Sequence, residues 1–510
     1  MTAPSPIPAP GPGAPTPPIE LAGGAAAATP ELGAARVDVP DTVLARLRDA
    51  CAEVIVDTAP LAEASRDWWP LGMQWATRGR VGGLAAALAR PTDADQVADV
   101  LAICDGARVP VTASGGRSGV CGGSVPLHGG VVLDTARLSG VVDVDATSLV
   151  LDVAAGTFGD VMEHELRAEH GVTLGHWPQS IALSTVGGWL ACRSAGQLSG
   201  RYGKIEDIVE GLDVVLADGR RITTGGWPRA AVGPDLTQLF VGSEGTLGVI
   251  TGARFRLHPA PTHERRAAWL LDSFDDGLDL IRRVVQRGAN PAVLRLYDPV
   301  EADRSHQTGE RALLLVLDEG DPPAVDAALA VVAEEATRGP LAAESADAGH
   351  VERWMEHRND VAALEALIRK GYTVDTMEVT GRWRDLPEIY RATIAALSAV
   401  EGTIAASAHQ SHSYSSGGCL YFTFAGQVDP DGRDAYYRAL WDAGQRAVLA
   451  HGGALSHHHG VGLNRARFMR EALGPAFDVL AAAKAALDPN GILNPGKLGL
   501  PSPWPGPEGW

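Results

Sequence analysis

Ser456-His457-His458-His459-Gly460-Val461-Gly462 sets three imidazoles side by side. Near neutral pH an imidazole can pass a proton, or bind a phosphate or carboxylate as a cation. Consecutive residues project in different directions, so the three do not readily meet on one ion, and no metal is expected. Structural histidines with one functional member fit the same loop. Tyr421 lies in Cys419-Leu420-Tyr421-Phe422-Thr423-Phe424. On a strand it shares a face with Thr423, while Leu420, Phe422 and Phe424 share the other. Such a tyrosine can simply pack. To act as a base, a phenol of ordinary pKa about 10 needs cations or a cofactor beside it. Arg295, in Pro291-Ala292-Val293-Leu294-Arg295-Leu296, is either a surface arginine or an anchor for an anion.

A second kind of chemistry belongs to glycine. Gly115-Gly116-Arg117-Ser118-Gly119-Val120-Cys121-Gly122-Gly123 follows a short strand, Val109-Pro110-Val111-Thr112. Glycines let backbone N–H groups approach a pyrophosphate closely and adopt positive φ. With 60 glycines in the chain, an ordinary glycine-rich turn is an equal reading of this loop alone. Arg117 breaks the GxGxxG spacing, and no other segment supplies it, which argues against an NAD site. Two further segments stand in order behind the loop. One runs Gly175-His176-Trp177-Pro178-Gln179-Ser180-Ile181-Ala182-Leu183-Ser184-Thr185-Val186-Gly187-Gly188-Trp189, and the other Gly242-Ser243-Glu244-Gly245-Thr246-Leu247-Gly248-Val249-Ile250.

Composition bounds what can carry these residues. The chain has 510 residues, 45% apolar, with net charge −19. That is enough for a large core in two or three domains. No basic face for nucleic acid is visible. The charge disfavours electrostatic docking on anionic membranes, while hydrophobic docking and a homodimer stay open. No apolar run reaches the roughly 18 residues of a membrane helix. No Lys or Arg precedes Arg36, and Glu508-Gly509-Trp510 is no address signal, so no targeting segment is expected. Five scattered cysteines without a CxxC pair suggest a reduced, cytoplasmic protein.

The elements follow from periodicity. Residues 1–35 are Pro/Ala/Gly-rich and read as a disordered tail, then a helical segment spans 36–80. Residues 81–258 have α/β texture. Asp93 opens a helix carrying Val97, Val100, Leu101 and Cys104 at helical spacing. Strands are expected at 131–133, 141–144 and 149–153, and Thr157 with Asp160 as a capping box. Residues 259–455 alternate strands (294–297, 372–379, 419–424) with helices such as 323–335, giving a second domain. Residues 456–500 return to Gly/His-rich loop and helix, and 501–510 read as a loose tail.

The three glycine-containing segments, in this order and spacing, resemble the flavin-binding segments of the vanillyl-alcohol-oxidase/p-cresol-methylhydroxylase superfamily of FAD-linked oxidases. The resemblance covers about residues 75–498. The histidine triplet, His409-Gln410-Ser411-His412-Ser413-Tyr414 and Leu487-Asp488-Pro489-Asn490-Gly491-Ile492-Leu493-Asn494-Pro495-Gly496-Lys497 are most similar to its alkyldihydroxyacetonephosphate synthase branch. The superfamily's hydroxy-acid dehydrogenases usually show a Gly-Glu-His-Gly loop, and those with a metal a His-Gly-Asp-Gly-Asn run, neither of which occurs here.

The resemblance implies an α/β (α+β) fold: a two-lobed PCMH-type FAD-binding domain and a mixed-sheet cap domain. It implies FAD wrapped at its pyrophosphate by Gly115, Gly116, Arg117, Ser118, Gly119 and Val120. His176, Pro178, Gln179, Ser180, Ser184, Thr185, Gly187, Gly188, Cys192, Arg193, Ser194, Glu244, Gly245, Thr246, Gly248, Val249 and Ile250 would line the rest of the cofactor. The first loop lacks a recognisable His or Cys attachment motif, so the FAD is expected to be non-covalent. Tyr421, His457, His458, His459 and Arg295 become the catalytic candidates. The implied reaction exchanges acyl for alkyl on a dihydroxyacetone-phosphate ester through a flavin N5 adduct, on a small-molecule or lipid substrate. The alternative is an FAD-dependent 2-hydroxyacid dehydrogenase or oxidase. Two positions depart from the synthase pattern: Leu364 stands where that branch has a substrate-binding arginine, with Arg358 and Arg369 as substitutes, and Gln179 replaces an acidic residue.

Overall fold

A computed structural model describes residues 17–338 and 343–507. Three sheets organise them. In the first, Val54–Ile55, Ala87–Ala89, Val131–Asp134 and Val111–Ser114 lie side by side, the last three parallel. Asp93 caps the covering helix Ala94–Ala107 by accepting from Gln96 N at 2.9 Å, and Val97, Val100, Leu101 and Cys104 are buried beneath it. The glycine loop leaves the carboxyl end of Val111–Ser114, where parallel sheets place their ligands. The C-terminal segment returns to the same strand: Val111 N donates to Ile492 O, and Asn494 N to Val111 O, each at 2.8 Å.

The second sheet is antiparallel, in the order Arg221–Gly225, Val209–Val215, Val249–Arg256, Val150–Ala154, Val141–Asp145. The helix after it starts at Gly159, and the expected capping box does not form. The Thr157 hydroxyl is already used, donating to Ala154 O at 2.7 Å and accepting from Gly140 N at 2.9 Å.

The third sheet has seven antiparallel strands in the order Glu344–Ala346, His263–Leu271, Ala312–Gly320, Val293–Tyr297, Thr403–Ser413, Gly417–Gly426, Thr373–Arg382. One face packs under helices that include Phe274–Gln286, Pro322–Thr337, Leu386–Ser398 and Arg433–Ala450. The expected alternation holds there: Leu420, Phe422 and Phe424 are fully buried in that core, beside Leu294 and Leu296. The opposite face looks toward the first two sheets. Register aligns Glu378, Tyr421 and His409 as direct neighbours across three strands. A bulge between Gln410 and His412 then re-aims the strand, so that Ser411 and His412 both reach one cavity.

The N-terminal stretch departs from expectation. Residues 1–16 lie outside the described residues, but 17–35 are not loose. Ile19 and Leu21 are buried, Thr29–Pro30 pairs with Arg80–Val81, and Arg66 Nη1 donates to Ile19 O. A few well-spaced apolar residues anchor a segment whose average composition reads as tail. Trp504 and Pro505 are likewise tied, as Ala35 N donates to Pro505 O and the Trp504 ring lies 5.9 Å from His128. No helix among the described residues is long and apolar enough to cross a membrane.

Candidate active site

A cavity of about 710 Å³ runs between the first two sheets and the inner face of the third. That volume is in the range of ligand pockets, which run from roughly 300 to 1,000 Å³. All six predicted loop residues from Gly115 to Val120 line it. So do Pro178, Gln179, Ser180, Ser184, Thr185, Gly187, Gly188, Cys192, Ser194, Glu244, Gly245, Gly248, Val249 and Ile250. Three expected members do not. His176 is buried behind the wall, its Nε2 2.7 Å from Ser194 Oγ and its ring against Trp189, so it positions Ser194 instead. Arg193 ends the helix Val186–Cys192 at φ 55 and pairs with Glu206 at 3.3 Å. The Thr246 hydroxyl is buried and donates to Ser243 O at 2.7 Å.

The walls suit a dinucleotide. Ser114 Oγ, Thr185 Oγ1, Arg117 Nε and Trp68 Nε1 are buried on cavity-lining residues, with no hydrogen-bond partner among the described residues. Polar atoms left so cost free energy unless a ligand meets them. Two glycines of the loop serve the protein first. A Cβ on Gly116 would sit 2.1 Å from Leu183 O, and one on Gly115 2.3 Å from Thr185 Oγ1. Their lack of a side chain is what lets the loop close on the segment 183–185. The expected reason, backbone approach to the pyrophosphate, is therefore secondary at these two positions.

Buried carboxylates hold the histidine loop. Glu378 Oε1 accepts from the backbone N–H of His457 (3.2 Å), His458 (2.9 Å) and His459 (2.6 Å), and Ser456 Oγ donates to it. Arg465, fully buried, donates to both of its oxygens. Burial opposes the Glu378 charge, but the Arg465 guanidinium outweighs it and holds the carboxyl well below its usual range. Glu244 Oε1 and Oε2 accept from Val461 N at 2.6 Å and Gly462 N at 2.8 Å. The sequence reading missed Glu378 and Arg465. The signal available was a pair of carboxylates, Asp375 and Glu378, within a strand-forming stretch, Thr373-Val374-Asp375-Thr376-Met377-Glu378-Val379.

Inside the cavity Tyr421 stacks on His409 with centroids 4.8 Å apart and donates to Thr376 Oγ1 at 3.0 Å. Burial raises its pKa above the ordinary phenol, and Glu378 and Asp375 add to this. Arg295 Nη2 donates to His409 Nε2 at 2.8 Å, and Arg295 Nε to Tyr297 OH at 2.7 Å. His409 Nδ1 donates in turn to Glu301 Oε1 at 3.0 Å. Burial works against the Glu301 charge, but His409 and Arg295 hold its carboxyl below the usual range. His458 and His459 line the cavity, whereas His457 lies behind them with Nε2 2.6 Å from Tyr414 OH. The expectation that neighbouring histidines point apart fails for one pair, since His457 and His458 face each other Nδ1 to Nδ1 at 2.9 Å. Burial and neighbouring imidazoles keep both neutral. Of the two suggested substitutes for an arginine at Leu364, neither lines the cavity. Arg358 lies over the Trp177 and Trp354 rings, and Arg369 pairs with Glu365 at 2.7 Å.

Two outcomes follow. Gly116→Val should remove FAD binding by prising the loop from Leu183. The variant's flavin content after reconstitution should be near zero, and wild-type content would refute the packing argument. His176 is held down to about 3, chiefly by burial and then by Lys204. A histidine kept neutral in the fold stabilises fully above its unfolded pKa near 6.5. That contribution is lost as pH falls toward the folded value. His176→Gln keeps a partner for Ser194 but does not titrate. The stability gap between wild type and variant in urea unfolding should therefore shrink by about 1.4 kcal/mol per pH unit below about pH 6.5. Parallel profiles would contradict it.

Comparison with known proteins agrees with this geometry. Residues 85–225 match the FAD binding domain family, and residues 260–498 the FAD linked oxidases, C-terminal domain family. The FAD-linked oxidoreductase YgcU of Escherichia coli (strain K12) is 30% identical over 432 residues, 81% of this chain and 89% of that protein. Alkyldihydroxyacetonephosphate synthase of Trypanosoma brucei brucei is 28% identical over 475 residues, covering 86% and 76%. Glycolate oxidase subunit GlcD of Bacillus subtilis (strain 168) is 28% identical over 422 residues, covering 81% and 88%. Among solved structures, an alkyldihydroxyacetonephosphate synthase superposes with TM-score 0.74 at 24% identity, covering 93% and 90%. Substrate-bound p-cresol methylhydroxylase gives 0.71 at 16%, covering 92% and 99%. The chain belongs to the FAD-linked oxidase family, with FAD as its cofactor and the p-cresol methylhydroxylase fold around it.

Proposed function

We propose that the protein is an FAD-dependent oxidoreductase that oxidises the hydroxyl-bearing carbon of a 2-hydroxy acid with an apolar substituent. The observation that carries this is the charge of the chamber under the third sheet. Arg295 is its one Lys or Arg among the described residues, the cavity's other being Arg117 on the glycine loop. A single guanidinium, fixed by His409 and Tyr297, suits a carboxylate. A phosphate ester would lack a second cation where Leu364 stands. Val361, Leu364, Leu367 and Val374 form an apolar side of the same cavity, which would take the substituent. Glycolate oxidase and D-lactate dehydrogenase among the relatives support this class.

The roles follow from geometry. FAD, when bound, supplies the two-electron acceptor that takes the hydride from the carbinol carbon. Gly115–Val120, Ser114, Thr185 and Trp68 would hold it without a covalent bond, since the loop 115–123 has no histidine and its one thiol, Cys121, donates to Gly460 O. Arg295 orients the substrate's carboxylate. His459, neutral because of burial, takes the hydroxyl proton. Glu378, 3.5 Å from His459 Nδ1, steadies the imidazolium that results. Tyr421, kept protonated by burial, would turn its one O–H from Thr376 Oγ1 to the substrate oxygen.

A second reading, exchange of acyl for alkyl on a dihydroxyacetone-phosphate ester, is favoured by Tyr421 standing against His458 and His459. It would need Tyr421 ionised and the phosphate anchored by Arg295 alone. Anaerobic mixing of the FAD-loaded protein with 2-hydroxy acids bearing alkyl or aryl groups separates the two. The yellow flavin band should bleach. Arg295→Gln should lower the second-order reduction rate roughly ten- to a hundredfold, the worth of a charge-assisted contact. An unbleached flavin with every acid, together with acyl-for-alkyl exchange on the ester, would overturn the proposal.

A further inference from the structure

We propose that His412, His457 and His458 form a divalent-metal site of the kind zinc prefers, opening on the cavity. The bulge in strand Thr403–Ser413 turns His412 toward the histidine loop, and one ring nitrogen of each residue then lies within 4.8 Å of the other two. The ring centroids are 4.8 Å (His412–His457), 5.1 Å (His457–His458) and 5.3 Å (His412–His458) apart. A tetrahedral ion with nitrogen ligands at roughly 2.0–2.1 Å sets imidazole centroids about 5 Å apart. The trio already has that spread.

The hydrogen bonds on the far sides of the rings fit as well. Ser199 Oγ lies 2.7 Å from His412 Nδ1, which leaves Nε2 for the shared centre. Tyr414 OH lies 2.6 Å from His457 Nε2, which leaves the Nδ1 that faces His458 Nδ1 at 2.9 Å. Metal-binding histidines characteristically have their second nitrogen held by such a partner. An all-imidazole set suits zinc, cobalt, nickel or copper over magnesium or calcium. Of the nearby cations, Lys204 is paired to Glu206 at 3.0 Å and bound to His457 O at 2.7 Å. Arg465 is neutralised by Glu378.

Three protein ligands leave a fourth position, and His412 and His458 both face the cavity. An oxygen of the substrate could complete the shell, a role that rests on the oxidoreductase reading, although binding of the ion does not. His459 is outside the trio and keeps its place as base.

The test uses the FAD-loaded protein, freed of metal with a chelator and dialysed. Zinc is titrated by equilibrium dialysis, and cobalt by its visible bands. One ion per chain should bind, with the intense bands of four-coordinate cobalt. His412→Gln and His457→Gln should weaken zinc at least about tenfold, while His409→Gln, equally buried but outside the trio, should match wild type. Should the histidine variants lose FAD, Ser199→Ala and Tyr414→Phe, which remove only the outer partners, should still cost about 10- to 100-fold. No stoichiometric ion in the wild type, or affinity unchanged in these variants, would overturn the site. Zinc binding without flavin reduction by any hydroxy acid would leave the site standing and sink the oxidoreductase reading. Reduction without zinc binding would do the reverse.

Discussion

The buried pair Glu378–Arg465 is the interaction on which the site depends. Neither side chain has measurable exposure. A carboxylate taken out of water costs several kcal/mol unless its oxygens are fully met. Here they are met by a guanidinium, a hydroxyl and three consecutive backbone N–H groups. The donors come from the loop 456–465 and the acceptor from the cap strand Thr373–Arg382. Folding that satisfies Glu378 therefore also sets His458 and His459 beside Tyr421. Glu244 repeats the device from the other side, tying Val461 and Gly462 to the FAD-binding half.

This arrangement explains why the cavity joins two chemistries. One wall is glycine backbone beside buried polar atoms that have no partner among the described residues. The other is an antiparallel sheet whose inner face alternates ionisable and aromatic residues, backed by an apolar core. Period-two alternation places Arg295 and Tyr297 on one face and Leu294 and Leu296 on the other. The bulge at Gln410–His412 breaks that rule beside the cavity, and the break adds His412 to the wall.

Much of this was legible in sequence, for identifiable reasons. Glycine loops betray themselves because few residue types tolerate their contacts, and residues of all three ordered segments line one cavity. Local alternation placed Tyr421 and Thr423 together. What was not legible depended on distant partners. His176 and Thr246 sit in flavin-like segments, yet their side chains are spent on Ser194 and Ser243. Nothing local marks Glu378 as the anchor of a loop that begins with Ser456. The bulge that redirects His412 has no strong residue signature. The stretch 17–35 misled because composition averages over the few residues, Ile19 and Leu21 among them, that do the packing.

A double-mutant cycle on Glu378→Gln and Arg465→Gln, read by urea unfolding of the FAD-loaded protein, tests the central claim most directly. Each single change leaves a buried charge without its partner and should cost about 3–5 kcal/mol. The double variant should lose clearly less than the sum, because the two uncompensated charges disappear together. Single losses under about 1 kcal/mol that simply add would contradict it: the pair would then be incidental to the fold, and the histidine loop would be held by something else.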